Sequence, residues 1–143
     1  MENFKYCIWF TPQLNHPWYN YTQSFLPHMT IKSKLDETNL NKYKNILYFN
    51  KQIEIKLVGK LYQDKINDFY ALQYDVEVLN KNEIPDWWPD NPHISFRYRY
   101  NIPHTEKEIE DISKIIEIKT GLLDCIQVYK CSGHFREWTR RLF

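Results

Sequence analysis

The chain has 143 residues, 43% of them hydrophobic and 26% charged, which suits one folded domain over residues 1–143 with a core of its own. A net charge of +1 offers no global basic field to duplex nucleic acid or to an anionic membrane, so a nucleotide ligand has to be gripped locally. Cys7, Cys125 and Cys131 show no C-x-x-C spacing, and no run approaches 18 apolar residues; a disulfide scaffold, a zinc site and a membrane span are set aside in favour of a reducing, cytoplasmic setting.

In chain order, "FKYCIWF" (4–10) is β-rich and stops at Thr11-Pro12, which predicts a first strand. A loop follows, with a helical turn over 18–25, and 26–33 predicts a second strand. Asp36 is placed to cap a helix reaching about Phe49, with Leu40, Tyr43 and Leu47 along one face. Ile53, Ile55 and Leu57 alternate with Gln52, Glu54 and Lys56, the pattern of a half-buried strand. A turn over 64–67 leads to a strand over 69–79. The Pro-rich stretch 80–91 then divides the chain into halves. A further strand covers 92–98. Thr105 and Glu108 form a capping box for a helix carrying Ile109, Ile112, Ile115 and Ile116, with Gly121 as its stop. "CIQVYKC" and "FREWTRRLF" predict a closing hairpin around Ser132-Gly133. The order of motif strand, helix and strand occurs twice, which suggests an internal duplication.

"PHMT" (27–30) and "PHIS" (92–95) carry the chemistry. Residues i and i+2 of a strand share a face, so His28 projects with Thr30 and His93 with Ser95, while Met29 and Ile94 point into a core. Two imidazoles across a cleft supply one base and one acid near neutral pH, and two hydroxyls supply donors for the oxygens of a phosphate. Strict alternation carries the same face on to Lys32 and Arg97, cations that could neutralise a phosphate. No Walker loop, dinucleotide fingerprint or nucleophile elbow occurs in a chain with three glycines. His16, His104 and His134 sit by prolines or a turn and read as surface residues.

The two H-x-[ST] motifs, with "YCIWFTP" ahead of the first and "VYKCSGHFREWTRRLF" at the close, resemble the 2H phosphoesterase superfamily, most nearly its small plant and fungal cyclic nucleotide phosphodiesterases. The resemblance implies an α+β, bilobed, pseudo-symmetric fold in which two antiparallel sheets line a central cleft, helices outside. It also implies hydrolysis, without metal or cofactor, of a 2',3'-cyclic phosphate on a nucleotide, an RNA end or ADP-ribose; a monomer is the default expectation. His28 and His93 become the acid–base pair, with His28 toward water and His93 toward the leaving oxygen, although spacing alone leaves that order open. Thr30 and Ser95 become phosphate clamps. Tyr98, five residues after His93, becomes a substrate contact; strict alternation turns it away from the cleft, so a β-bulge is required.

Trp18 and Tyr21 before the first motif, and Trp87 and Trp88 before the second, are either stacking faces for a base or packing over the sheet ends. The "RYRY" that follows the second motif departs from an aliphatic-Tyr-Gly run, which leaves the substrate open between cyclic phosphates, 2'-5' oligoadenylate and cyclic oligonucleotide signals. A non-catalytic module that holds RNA ends is the reading from a different class.

Overall fold

The computed structural model describes residues 6–22, 26–66, 69–131 and 138–141. It is α+β, with one large antiparallel sheet of seven strands: β1 (Tyr6–Pro12), β2 (His28–Leu35), β3 (Ile53–Ile66), β4 (Phe69–Val78), β5 (His93–Tyr100), β6 (Thr120–Lys130) and β7 (Thr139–Arg141). Their order is β1-β2-β5-β4-β3-β6-β7, and β1 also pairs with β6, so six strands close into a ring with β7 alongside β6. Where the resemblance leads one to expect two sheets, the hydrogen bonding is continuous. β2 meets β5 through His28 opposite Ser95 and Met29 opposite Ile94, and β1 meets β6 along seven residues.

Every ring strand contributes to a single apolar cluster, from Ile8 and Phe10 on β1 through Met29, Ile55, Leu72 and Phe96 to Leu123 and Val128 on β6. The alternation of Ile53, Ile55 and Leu57 with exposed neighbours follows directly, since a strand with one face on a core buries every second residue. Of the turn expected over 64–67, residues 64–66 instead continue β3, Ile66 pairing with Phe69, and residues 67 and 68 lie outside the described residues.

Asp36 does cap α1 (Glu37–Lys42), its side chain accepting from the Asn39 N–H at 2.8 Å. The helix ends at Tyr43 instead of reaching Phe49, and a 3-10 turn over Lys44–Tyr48 follows. Asn39, Asn41 and Asn45 favour backbone-bonded turns over helix interior, and the break lets both Leu40 and Ile46 reach the core. The capping box at Thr105 and Glu108 is formed, and α2 spans Glu106–Ile115.

Gly121 is not the stop of α2; it lies in β6. A Cβ there would stand 2.7 Å from the Trp18 ring, so glycine makes the space that the indole fills. Of the closing hairpin, β7 is seen, whereas Ser132, Gly133 and His134 lie outside the described residues.

Candidate active site

The face of the ring opposite the core holds the motif residues. β2 and β5 run antiparallel, His28 opposite Ser95 and Met29 opposite Ile94; the same register carried one residue further sets Thr30 beside His93. Each imidazole thus lies next to the other motif's hydroxyl. Met29 and Ile94 are fully buried in the core, which pins both motifs from behind.

Both imidazoles are anchored alike. Nδ1 of His28 is 2.7 Å from the Leu26 carbonyl and Nδ1 of His93 is 3.2 Å from the Asn91 carbonyl, two residues back in each case. A carbonyl can only accept, so each Nδ1 carries a proton. His28 Nε2 then accepts from the Tyr98 hydroxyl at 3.1 Å.

The surroundings of the two histidines differ. His28 has no accessible surface and stacks on Trp9 at 3.7 Å between ring centroids, with 14° between the planes. Trp9 stacks in turn on Tyr129 at 4.4 Å. Burial pushes the His28 pKa down to about 3, against a smaller opposing effect of the Leu26 carbonyl, and His93 adds to the depression. His28 is therefore a neutral imidazole at pH 7. His93 is half-buried, and its neighbour across the β4–β5 ladder is Asp75.

Tyr98 reaches His28 because β5 carries a bulge. Leu72 pairs with Arg97 but Gln73 pairs with Ser95, leaving Phe96 as an extra residue that reverses the alternation beyond it. The same happens on β2, where Trp9 pairs with Thr30 and Ile8 with Lys32, leaving Ile31 extra. Both bulges fall three residues after a histidine. They turn Lys32 and Arg97 off the face that strict alternation assigns them: Arg97 Nε donates to the Tyr21 carbonyl at 2.9 Å, and Lys32 lies over the Tyr43 ring at 5.0 Å. Neither cation is set beside the hydroxyls.

Trp18 is not a platform for a base. It is wholly buried, packs edge-on against Phe96, and donates its indole N–H to the Ile118 carbonyl at 2.8 Å. Trp88 is half-buried, edge-on to Phe10, and with Trp87 it packs against the core. His16 holds the Thr120 carbonyl at 2.9 Å, and His104, expected at the surface, is buried against Gln63. Sequence reasoning missed Trp9, Gln73, Tyr62 and Asp75. Trp9 was hidden as one aromatic in an apolar strand, and the others become site residues only once β3 and β4 are laid beside β5. Among the described residues no three His, Cys, Asp or Glu side chains converge as metal ligands would, and no helix is long and apolar enough to cross a membrane. No protein-family model matches the chain, and no curated protein matches it.

Proposed function

We propose that the chain is a phosphodiesterase of the 2H type, its two lobes being the halves of one sheet that meet at β2 and β5. It hydrolyses a 2',3'-cyclic phosphate to a monoester without a metal or other cofactor. The observation that carries the reading is the register of β2 on β5, with both Nδ1 atoms tied to a carbonyl two residues back. Such a pair presents two Nε2 atoms and two hydroxyls to one phosphate.

In the reaction, a water oxygen forms a bond to phosphorus as His28 Nε2 takes its proton. The bond from phosphorus to the ring oxygen breaks, and His93 Nε2 gives that oxygen a proton. Thr30 and Ser95 donate to the non-bridging oxygens, where negative charge gathers in the transition state. The neutral state of His28 suits the base. The Tyr98 hydroxyl holds the place on Nε2 that the water takes, and once displaced its proton turns to the phosphate. Nucleotides, RNA ends and ADP-ribose cyclic phosphate share this chemistry, and a monomer with free cysteines in a cytoplasmic setting is the form we expect to act.

The test is turnover of 2',3'-cyclic nucleotides, ADP-ribose cyclic phosphate, 2'-5' oligoadenylate and cyclic dinucleotides in EDTA. His28→Ala and His93→Ala should each lower the rate by roughly 10²–10⁴-fold. Preference for the linear or cyclic oligonucleotides would move the substrate to the signalling class. One observation favours the binding module instead: His28 has no accessible surface. Failure of the wild type to turn over any of these compounds, with RNA ends still bound after both histidines are lost, would establish that reading.

A further inference from the structure

Beside the second motif, β4 sets Gln73 directly opposite Ser95 and Asp75 directly opposite His93, and β3 sets Tyr62 opposite Gln73. These three side chains are joined. The Tyr62 hydroxyl lies 2.6 Å from Asp75 Oδ1, and Gln73 Nε2 lies 3.1 Å from the Tyr62 oxygen. A carboxylate cannot donate, so the phenol proton goes to Asp75 and the phenol oxygen accepts from the Gln73 amide nitrogen. That order settles which end of the amide is which. It leaves Gln73 Oε1 as the other branch of the amide, outside the bond to β3. This oxygen is buried, Gln73 being 2% exposed, and has no hydrogen-bond partner.

A buried amide carbonyl without a donor costs roughly 1–3 kcal/mol, and here it stands one strand away from a phosphate clamp. Neighbouring strands are about 4.8 Å apart and Gln73 pairs with Ser95, so a group held at the Ser95 hydroxyl is within side-chain reach of this amide. A cyclic phosphate itself has no hydroxyl at that place, because both ring oxygens are esterified. Its product does.

We propose that Gln73 is the acceptor for the leaving hydroxyl. Once His93 has protonated the departing oxygen, the new O–H donates to Gln73 Oε1, and Tyr62 and Asp75 hold the amide in the accepting orientation. The inference rests on the phosphodiesterase reading and names the product it retains, a phosphomonoester with a vicinal hydroxyl. Gln73 is thus a specificity-determining residue, and Tyr62 and Asp75 are positioning residues.

The experiment is a binding titration of wild type, Gln73→Met and Tyr62→Phe with a ribonucleoside 2'-monophosphate, a ribonucleoside 3'-monophosphate and their deoxy analogues lacking the vicinal hydroxyl. Met keeps the length and volume of Gln73 without its polar end, so the fold is retained. We expect wild type to prefer the hydroxyl-bearing ligand of one isomer by about tenfold, Gln73→Met to lose the preference, and Tyr62→Phe to lose part of it. Because the readout is a ratio between two ligands, a variant that merely loosens the sheet leaves it in place. Equal binding of hydroxyl and deoxy ligands by wild type, with both weakened by His93→Ala, would overturn the role of Gln73 and leave the phosphodiesterase reading intact. Absence of binding by any monophosphate, together with no turnover of cyclic phosphates, would overturn both.

Discussion

The surroundings of the two motif histidines occupy matching places in the sheet and are built from opposite materials. Beside the first motif, the residue facing Thr30 is Trp9, which stacks flat on His28 and continues to Tyr129. Beside the second motif, the residue facing Ser95 is Gln73, which leads through Tyr62 to Asp75. One imidazole is sealed by rings and held neutral; the other is half-buried against a polar network. Two histidines with the same backbone setting thus meet different neighbours, and burial holds His28 neutral. In the reaction we propose, the dry side would hold the base and the polar side the acid.

The contrast is broken most severely at Trp9. Trp9→Ala removes the ring on which His28 stacks, and we expect a loss of about 3–5 kcal/mol in urea unfolding, with the His28 pKa rising back toward 6.5 in an NMR titration. A His28 that still resisted protonation in this variant would show that something other than the stack keeps the site dry. pH tests the same point more gently. Burial lowers the folded pKa of His28 from 6.5 to about 3, so between those values the unfolded chain binds a proton that the folded one refuses. The stability is fully present above pH 6.5 and is lost as pH falls, by about 2–3 kcal/mol between pH 6 and pH 4. His28→Gln should flatten that slope, which chemical denaturation across the range will read. The smallest effects belong to Lys32→Met and Arg97→Gln, whose charged ends are engaged at the Tyr43 ring and the Tyr21 carbonyl. Each should change kcat/KM by less than about threefold, under 1 kcal/mol. A tenfold loss at Arg97 with unchanged stability would mean that the guanidinium swings to the phosphate.

The motif histidines and hydroxyls were legible because period 2 needs only four residues to declare a face, and both motifs lie ahead of any irregularity. Beyond them the same rule misleads. The bulges at Ile31 and Phe96 leave no mark in residue type, since both positions hold ordinary core hydrophobics, yet they exchange the faces of Arg97 and Tyr98. Trp18 could not be told from an exposed stacking ring, because its burial depends on Gly121 a hundred residues away. Ring closure was equally out of reach, since nothing local in β1 says that β6 will lie beside it. The helix caps at Asp36 and Thr105 were readable for the opposite reason: each is settled by a bond to a residue three places on.

The β1–β6 ladder joins Tyr6 to Lys130 and Pro12 to Leu123, so contacts spanning more than a hundred residues close the ring. Such pairings form late, because the loop they close costs entropy before any contact repays it. During synthesis the β3–β4 hairpin has its partners at once, while β1 must wait until β6 has left the ribosome. Trp9, carried on β1, can adopt its place between His28 and Tyr129 only after that last docking. The dry surroundings of His28 are thus assembled at the end of folding, and a nascent chain carries both motifs well before those surroundings are complete.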